Sequence, residues 1–225
     1  MGENQDKAKR MLAESVCENL QSKMTLGLGA GSTVMRVVEA LKDRQHASIQ
    51  VVVASLATQK HCWDCGIEAD LMESVSHIDL YIDGADEVDE SFCLIKGRGG
   101  AMTGEKLCAQ MAESFIVLVD ESKCVKRLGQ RWPVVAIEVV PWARSSVARQ
   151  IVKMGGRPEL REQKSDMKND IIDCYGMNLA EPYSLSKEVN QLTGVVCHGL
   201  FVNETPQVVK VSDGHQIWEL ERAPE

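Results

Sequence analysis

The segment from Asp83 to Lys106 gathers the side-chain types that proton transfer on a small anionic substrate requires. It reads DGADEVDESFCLIKGRGGAMTGEK, with aspartates at its front, then Lys96 and a run of glycines, and Glu105 near its end. Moving a hydrogen between adjacent carbons of a sugar needs a base beside a carbonyl group, and donors for the oxyanion that develops. A carboxylate can take and return that proton, while a lysine and further carboxyl groups handle the oxygens. The same residues also fit a solvated acidic loop followed by a flexible turn.

Two aspartates of this segment lie where an open α/β sheet would bind a ligand. Asp83 and Asp86 follow the predicted strand Asp79–Ile82, and such sheets bind ligands at the carboxyl ends of their strands. A calcium loop is excluded, because the third position from either aspartate is alanine or valine and the required glycine is absent. The residues alone leave open a magnesium ion held by both aspartates. The neighbouring Asp89 and Glu90 are predicted to lie in a solvated turn.

The lysine and the last glutamate of the segment flank a glycine-rich turn and the start of a helix. Lys96 precedes the sequence GRGG, whose glycines let the backbone approach a ligand closely. Thr103 is predicted to cap the helix Thr103–Ala112, which places Glu105 in its first turn. The helix dipole favours a carboxylate there, so Glu105 has a structural explanation beside the catalytic one.

A second glycine turn, GLGAGST at residues 27–33, follows a predicted strand and opens a predicted helix. Such a turn presents backbone N–H groups and the positive end of the helix dipole, and Ser32 and Thr33 add hydroxyl donors. It is not the dinucleotide fingerprint, because Ser32 occupies the third glycine position, and it lacks the Gly-Lys-Ser/Thr of a P-loop. The spacing alone leaves two interpretations, a phosphate-binding turn and a tight turn with a serine cap.

Alternating strands and helices in the N-terminal part predict a parallel sheet with helices on both faces. The predicted strands are Thr25–Leu28, Ile49–Ala54, Asp79–Ile82 and Phe115–Val119. The predicted helices are Lys7–Leu20, Ser32–Leu41, Leu56–Cys65 and Thr103–Ala112.

The pattern changes near Pro133 to that of a smaller α+β domain. Its predicted elements are strand Pro133–Val140, helix Ser145–Met154 ended by two glycines, strands Pro158–Arg161 and Asp170–Tyr175, helix Ser184–Gln191 and strand Val195–Val202. This β-α-β-β-α-β order is typical of a ferredoxin-like domain. The last stretch, Gln207–Trp218, reads as strands that rejoin the first domain. The predicted domains are therefore residues 1–130 with 206–225, and residues 131–205.

Composition and charge exclude several classes of protein. The chain has 225 residues, a formal net charge of -8 and a pI near 5.2, and it has no basic run, which argues against nucleic acid and anionic membranes as partners. No apolar run approaches the ~20 residues that span a membrane, and the first residues lack the apolar region of a signal peptide. We therefore expect a cytoplasmic protein whose eight cysteines are reduced thiols.

One pair of cysteines, Cys62 and Cys65, has CxxC spacing. A zinc site would need a second pair of ligands at motif spacing, and the sequence offers none. A redox CxxC normally opens a helix after a strand, whereas this pair ends a predicted helix. We therefore predict that the pair has no function and holds no metal.

Taken together, these segments resemble the type A ribose-5-phosphate isomerase family. The matching stretches occur in the order of the family and cover nearly the whole chain: GLGAGST, DLYIDGADEVDESFCLIKGRGGAMTGEK, FIVLVDESKCVKRLG, PVVAIEVVPWARSSVARQIVKMGGRPELR and TGVVCHGLFVN. The resemblance implies an α/β fold in which a Rossmann-like parallel-sheet domain carries a second, smaller ferredoxin-like α+β domain. It also implies interconversion of ribose 5-phosphate and ribulose 5-phosphate through an enediol(ate), without a cofactor, in the non-oxidative pentose phosphate pathway.

The resemblance also implies roles for individual residues. Glu105 is implied as the base, and Asp83 and Asp86 as residues that orient sugar hydroxyls and assist proton movement between oxygens. Lys96 and the glycines after it are implied to hold the open-chain sugar and its developing charge. The remaining implied substrate contacts are Lys9, Ala30, Gly31, Ser32, Thr33, Gly84, Ala85, Gly97, Arg98, Gly99 and Lys123. Members of the family form homodimers or homotetramers, which is the assembly we expect.

Two positions depart from the pattern of the family. Ala30 stands where many members have threonine, so one hydroxyl contact is lost. Gly104 stands where many have arginine, and a glycine in the first helical turn predicts weaker local order around Glu105. His198, in CHGLF, could suggest a catalytic histidine. Because the pattern of its segment predicts a strand of the smaller domain, we predict a structural histidine instead.

Two alternative functions are weighed against the isomerase. A non-catalytic sugar-phosphate sensor would keep the phosphate turn and could lose the base, yet Glu105 and Lys96 are both present. An amino-sugar-phosphate deaminase could share the fold, because fold alone does not determine function. The DGAD and KGxGG segments together favour the pentose isomerase.

Overall fold

The computed structural model describes residues 2–43 and 48–221 of the chain. Its α-helices are α1 (Glu3–Cys17), α2 (Ser32–Asp43), α3 (Leu56–Asp64), α4 (Met102–Met111), α5 (Arg144–Lys153) and α6 (Pro182–Asn190). Its strands are β1 (Thr25–Leu28), β2 (Gln50–Val53), β3 (Ala69–Leu71), β4 (Ile78–Asp83), β5 (Glu87–Val88), β6 (Leu94–Ile95), β7 (Ala112–Asp120), β8 (Val134–Val139), β9 (Arg157–Leu160), β10 (Asp170–Tyr175), β11 (Val195–His198), β12 (Leu200–Phe201), β13 (Val208–Ser212) and β14 (Ile217–Glu219). Within the described ranges, no helix combines the length and the apolarity needed to cross a membrane.

The largest sheet has seven strands in the order β14-β13-β7-β4-β1-β2-β3. Neighbouring strands run parallel except β13 and β14, which pair antiparallel at one edge. This is a doubly wound order, in which the chain moves outward from β1 to one side and then, through β4, to the other. The predicted parallel sheet is confirmed. The carboxyl ends of β1, β4 and β7 therefore lie side by side at one edge of the sheet, where such folds bind ligands.

Apolar side chains at helical spacing hold α1 and α2 in the core beside this sheet. In α2 they recur at i, i+3, i+4 and i+7, and the buried residues are Val34, Val37, Val38 and Leu41. In α1 the buried apolar residues are Ala8, Leu12, Ala13, Val16 and Cys17. Burying a valine or leucine side chain contributes about 1.5–3 kcal/mol relative to leaving it exposed. The helix α1 begins at Glu3, before the predicted start at Lys7. Its first turn is exposed or half-buried and carries no apolar period, so the apolar pattern does not reveal it.

The second sheet has four antiparallel strands in the order β11-β8-β10-β9. The chain runs β8-α5-β9-β10-α6-β11, which is the predicted β-α-β-β-α-β succession. The helix α5 ends at Lys153, and Gly155 follows with φ of +85°. That left-handed conformation suits glycine, so the predicted end of this helix is confirmed.

The predicted strand Val195–Val202 is wrong as a single strand, because it breaks at Gly199. β11 pairs with β8, whereas β12 joins a three-stranded sheet in the order β12-β6-β5. At the break, the Gly199 N–H donates to the Ala136 carbonyl, and the Lys96 N–H donates to the Gly199 carbonyl, each at 2.8 Å. A Cβ atom on residue 199 would lie 2.1 Å from the Lys96 carbonyl oxygen, so this close backbone approach requires glycine.

The contacts of the chain divide it into two compact units. The first contains the seven-stranded sheet and consists of the described residues up to Ala85, Gly104–Cys124, and the described residues from Pro206 onward. The second contains both antiparallel sheets and consists of Asp86–Thr103 and Val125–Thr205.

These units differ from the predicted domains, which placed residues 86–103 and 125–130 with the parallel sheet. The difference arises because β5 pairs with β6, and β6 with β12, so their backbone hydrogen bonds fall within the second unit. The division into domains 1–130 with 206–225, and 131–205, stays a prediction. Its residues 1, 44–47 and 222–225 lie outside the described ranges.

Candidate active site

The last residue of β4, Asp83, organises the carboxyl edge of the parallel sheet. Its side chain is fully buried, and its Oδ1 accepts from the Ala30 N–H at 3.1 Å and from the Gly84 N–H at 2.7 Å. Its Oδ2 accepts from the Tyr81 hydroxyl at 2.5 Å. A Cβ atom on Gly29 would lie 1.9 Å from the Asp83 Cγ, so glycine at position 29 makes room for this carboxylate. Asp83 therefore joins the end of β4 to the glycine turn after β1.

The glycine turn leads directly into α2, as predicted. The Gly29 N–H donates to the Ile82 carbonyl at 2.9 Å, and the Thr58 hydroxyl donates to the Gly29 carbonyl at 2.7 Å. Gly31 has φ of +91°, which alanine would adopt only with strain. Ser32 and Thr33 begin α2, and the first N–H groups of a helix form a binding site for anions. The turn is therefore held by the end of β4 and by the first turn of α3, with hydroxyls at its helical end.

The helix α1 brings Lys9 to this turn. Asp6 of α1 accepts from the Arg36 guanidinium of α2 at 2.6 and 3.0 Å, which joins the two helices. One helical turn further on, the Lys9 Nζ donates to the Ser32 Oγ at 3.0 Å. Burial, followed by the positive charge of Lys123, lowers the pKa of Lys9, while the negative charge of Asp120 opposes the shift. Two ammonium groups close enough to repel each other would be stabilised by a bound anion.

The loop after β7 holds the second of these lysines. Asp120 ends β7 and caps the short helical turn Glu121–Lys123, where it accepts from the Ser122 N–H at 3.1 Å and from the Ser122 hydroxyl. Gln5 of α1 donates to the Ser122 Oγ at 3.4 Å. Lys123 therefore follows the strand next to β4, at the same edge of the sheet as Asp83.

Glu105 also lies at this edge. The helix α4 is the crossover helix between the parallel neighbours β4 and β7, so its first turn begins near the carboxyl end of β4. The side chain of Glu105 is only 5% exposed. Burial, followed by the negative charges of Asp83 and Glu105, raises the pKa of the Cys108 thiol. Burial is also the largest cause of the raised pKa of Tyr81, and both carboxylates add to it. Asp83 and Glu105 therefore act electrostatically on the same two neighbours.

The glycine before Glu105 has a packing role that the sequence did not indicate. A Cβ atom on Gly104 would lie 2.0 Å from the carbonyl oxygen of Ala54, the residue after β2. The absence of a side chain therefore lets the first turn of α4 approach the end of β2. Weaker local order at Gly104 was the prediction, but the contact with Ala54 gives this glycine a definite position.

We expect Gly104→Ala to destabilise the protein, although alanine normally stabilises a helix interior by about 1 kcal/mol relative to glycine. The new methyl group must push α4 away from Ala54, and overpacking of this kind costs about 1–3 kcal/mol. Urea denaturation measures the difference. Gly2→Ala is the matched control, because a Cβ atom there meets no atom within 4 Å. A higher urea midpoint for Gly104→Ala than for the unchanged protein would contradict the packing role.

The second unit carries Lys96 and the turn after it. Lys96 follows β6 and is buried, and its Nζ lies 5.6 Å from the centroid of the Phe201 ring. Gly97 and Gly100 have φ of +102° and +80°, and the Gly100 N–H donates to the Gly97 carbonyl at 3.1 Å. The predicted glycine turn is therefore confirmed as a tight turn that only glycine enters without strain.

The side-chain carboxylate of Asp86 contacts the backbone of this turn rather than its side chains. The Arg98 N–H donates to the Asp86 Oδ2 at 3.2 Å, and the Asp86 N–H donates to the Ile95 carbonyl at 2.8 Å. The guanidinium of Arg98 lies over the Trp132 ring, 4.6 Å from its centroid. Four of the predicted site residues, Asp86, Gly97, Arg98 and Gly99, thus belong to the second unit. Ala85 belongs to the first unit.

His198 has the surroundings of a structural histidine, as predicted. It is fully buried in β11, and its Nδ1 accepts from the Leu200 N–H at 3.2 Å. Its Nε2 lies 3.2 Å from the Ser186 Oγ, and since Nδ1 is an acceptor, Nε2 is the protonated nitrogen that donates. Both ring nitrogens are therefore used to hold the start of β12 and α6.

Two other groups of reactive side chains lie away from the carboxyl edge. Cys62 is buried near the end of α3, and burial, followed by the charge of Cys65, raises its pKa to about 11, which leaves it a weak nucleophile. His77, Asp79 and Glu113 place ligand atoms within 4.8 Å of one another, where β4 and β7 begin. In that cluster the His77 Nε2 already lies 3.2 Å from the Asp79 Oδ1.

Tyr81 is a site residue that the sequence reading missed. It stands two positions before Asp83 in the same strand, and residues at that spacing point to the same face of a sheet. This period of two was the signal that could have identified it. Its hydroxyl fixes one oxygen of the Asp83 carboxylate, so it belongs to the positioning of that group.

The arrangement can be compared with known proteins. The sequence profile described as ribose 5-phosphate isomerase A (phosphoriboisomerase A) matches residues 50–214. A ribose-5-phosphate isomerase A of Francisella tularensis subsp. novicida is 43% identical over 199 residues, which is 88% of each chain. One of Stenotrophomonas maltophilia is 43% identical over 91% of this chain and 95% of its own.

Solved structures agree with the sequence relatives. The ribose 5-phosphate isomerase A of Neisseria gonorrhoeae superposes with a TM-score of 0.92 at 34% identity, and 98% of each chain is covered. A D-ribose-5-phosphate isomerase in complex with phospho-erythronic acid superposes with a TM-score of 0.89 at 33% identity, over 97% of this chain and all of the other. Both the identity and the coverage extend across the two units, so the resemblance carried by the DGAD and KGxGG segments is confirmed. This chain belongs to the ribose 5-phosphate isomerase A family.

Proposed function

We propose that this chain interconverts D-ribose 5-phosphate and D-ribulose 5-phosphate, the aldose–ketose isomerisation of the non-oxidative pentose phosphate pathway. Membership of the family supports the activity and the substrate class. The observation that carries the proposal is the buried pair Asp83 and Glu105 at the carboxyl edge of the parallel sheet, next to an anion-binding turn. Isomerisation of a sugar phosphate needs groups that take and return protons next to a phosphate-binding site.

The phosphate group is proposed to bind at the start of α2. The N–H groups of the turn, the hydroxyls of Ser32 and Thr33 and the positive end of the helix dipole all favour an anion there. Lys9 already donates to the Ser32 Oγ, and Lys123 acts electrostatically on Lys9. The alanine at position 30 offers its N–H to Asp83, so the hydroxyl that many relatives carry there is absent while the backbone contact remains.

Proton transfer is proposed to proceed through an enediol(ate), with Glu105 as the base. Glu105 removes the proton from C2 of the open-chain aldose, and the electron pair of that bond moves toward the C1 carbonyl oxygen. The same carboxylic acid then delivers a proton to C1, while the C2 hydroxyl loses its proton and becomes the ketone. Asp83 and Asp86 assist the proton movement between O1 and O2. No electron leaves the substrate, so the reaction needs no redox cofactor.

The developing oxyanion is proposed to be stabilised by Lys96 and by the backbone of residues 97–99. Donors aimed at charge that appears only in the transition state raise kcat, and in a dry site they act more strongly than in water. Lys96 is buried, which keeps its positive charge largely away from solvent. A cytoplasmic location, expected from the sequence, and assembly as a homodimer or homotetramer, implied by the family, complete the proposal.

Turnover of ribose 5-phosphate by the purified protein in excess chelator tests this function. We expect ribulose 5-phosphate to form, and we expect phospho-erythronic acid to compete, because the carboxylate of a sugar acid has the flat, negatively charged form of an enediolate. Binding of the sugar phosphate without turnover would favour a sensor. Release of ammonia from an amino-sugar phosphate would favour a deaminase.

The lowered pKa of Lys9 makes a prediction about pH. Protonated Lys9 attracts the phosphate dianion, whereas neutral Lys9 does not, so binding weakens as pH rises through the pKa of Lys9. Because that pKa is lowered by burial, we expect KM to rise at lower pH than an ordinary lysine, with its value of 10.5, would produce. KM measured from neutral pH to about pH 10 checks this.

Lys9→Met is expected to abolish the alkaline rise in KM and to leave KM high at every pH. Lys60→Met is the control, since Lys60 is exposed on α3 and pairs with Asp64. A KM that stays flat in the unchanged protein, or an identical alkaline rise in Lys9→Met, would remove Lys9 from the phosphate site.

A further inference from the structure

The turn after Lys96 is held from outside by residues that follow β9. Arg161 comes directly after β9, and its Nη1 donates to the carbonyl oxygens of Gly97 at 2.9 Å and Arg98 at 3.2 Å. Gln163 donates from its Nε2 to the carbonyl oxygen of Gly99 at 3.1 Å. Three consecutive carbonyl groups of the turn therefore point toward one short segment of the second unit.

Arg161 is itself held in a fixed orientation. Its Nε and Nη2 donate to the two carboxylate oxygens of Asp173 in β10, at 2.9 and 2.5 Å. The side chains of Arg161 and Asp173 are 15% and 18% exposed. A two-pronged pair of this kind fixes the plane of the guanidinium, and the third nitrogen is then aimed at the turn. Lysine has a single nitrogen and cannot make both sets of contacts.

The orientation of these carbonyl groups determines where the N–H groups of the turn point. In a trans peptide the C=O of one residue and the N–H of the next point in opposite directions. Because the carbonyls of Gly97 and Arg98 point to Arg161, the N–H groups of Arg98 and Gly99 point away from it. The Arg98 N–H donates to the Asp86 Oδ2, which fits this direction.

We propose that Arg161 is a positioning residue of the isomerase, which with Asp173 and Gln163 fixes the peptide groups of residues 97–99, so that the Arg98 N–H holds the Asp86 carboxylate and the Gly99 N–H serves the developing oxyanion. The inference rests on the proposed function. A simple salt bridge between β9 and β10 would need only Arg161 and Asp173. The additional contacts with three carbonyls of a glycine turn, which has few side chains to hold it, are what assign Arg161 to the turn.

Kinetic measurements on matched variants test the proposal. We expect Arg161→Met to lower kcat by about 10- to 100-fold, because loosened donors lose part of the oxyanion stabilisation, with KM within about threefold of the original. Asp173→Asn should lower kcat in the same direction, and Arg161→Lys should fail to restore it. Arg157→Met is the control, since Arg157 lies in β9 four residues before Arg161, is 73% exposed and contacts Glu159 and Tyr175 instead.

Trypsin digestion supplies a readout that does not depend on turnover. Trypsin cleaves after arginine, and the exposed bond between Arg98 and Gly99 lies within the pinned turn. We expect the fragment ending at Arg98 to appear at least about tenfold faster in Arg161→Met and in Asp173→Asn, because a protease requires local opening of the chain. The rate should be unchanged in Arg157→Met. Gln163→Ala, which alters one exposed side chain, should accelerate the cleavage to a smaller extent.

The outcomes test the positioning role of Arg161 separately from the isomerase function. Lower kcat and faster cleavage after Arg98 in Arg161→Met and Asp173→Asn, with neither in the control, support the positioning role. Unchanged kcat or unchanged cleavage in both variants overturns it while the isomerase function stands. If the unchanged protein does not turn over ribose 5-phosphate, the proposed function is overturned. The positioning role of Arg161 in this reaction then falls as well, even if Arg161 does hold the turn in place.

Discussion

Replacing Glu105 with glutamine is expected to lower kcat for ribose 5-phosphate by about 10²–10⁴-fold while KM changes little. Glutamine has nearly the same size and shape, so α4 and the binding of the substrate should be retained. Its amide cannot accept the C2 proton, so the loss falls on the chemical step. Equal losses in kcat and kcat/KM identify an interaction that is made only in the transition state.

The control for this variant is Glu113→Gln, which removes a carboxylate in β7 that is 73% exposed. It should leave kcat unchanged. Turnover in heavy water adds a second measurement, because a proton held by Glu105 can exchange with solvent and deuterium then enters the product. Undiminished kcat in Glu105→Gln would show that another group is the base. The buried carboxylate of Asp83 would then be the first candidate.

The parallel sheet could be predicted because its signals are local. Thr25–Leu28 has the predicted bounds in the structure, and the alternation of apolar runs with helical periods is repeated along the N-terminal part. The strands β5 and β6, of two residues each, are too short to show any period. Their pairing with each other and with β12 decides which unit they belong to, and this pairing brings together residues that are distant in the chain.

The candidate site was predictable to the extent that its residues lie in continuous motifs. Asp83, Lys96 and Glu105 fall within one segment of the sequence, and the glycine turn at residues 27–33 carries its own signature. Arg161 is separated from Gly97 by 64 positions, so no local pattern connects them. At Gly104 the sequence pattern predicted weaker local order, which is not the role that the structure gives this residue. Only the close approach of the Ala54 carbonyl explains why a glycine stands there.

Substitution of Asp83 is also expected to have a large effect, because its carboxylate both holds the glycine turn at residues 27–33 and takes part in the proposed proton transfer. Asp83→Ala would remove the carboxylate that accepts from the N–H groups of Ala30 and Gly84 and from the hydroxyl of Tyr81. Leaving the buried Tyr81 hydroxyl unsatisfied costs about 1–3 kcal/mol, and the half-buried N–H groups add less because water reaches them, so we expect a total loss of about 2–4 kcal/mol in unfolding free energy. The turn that is proposed to bind phosphate should loosen, and KM should rise together with the fall in kcat.

Asp83→Asn separates the two roles. Its oxygen can still accept from the two N–H groups, and its amide can face the Tyr81 hydroxyl, which can rotate to accept. We therefore expect KM and the urea midpoint to stay near those of the unchanged protein, whereas kcat falls by about 10²-fold because the charge that assists proton movement is gone. Asp64→Asn, which alters a side chain of α3 that is 61% exposed, is the control.

The comparison of the two Asp83 variants decides what this carboxylate does. If Asp83→Asn lost stability and affinity as severely as Asp83→Ala, the charge itself would be holding the turn, and a separate part in proton movement would have no support. If Asp83→Asn kept full kcat, Asp83 would be a structural residue only. A selective loss of kcat in the asparagine variant, with KM raised only in the alanine variant, is the result that the buried geometry at the end of β4 leads us to expect.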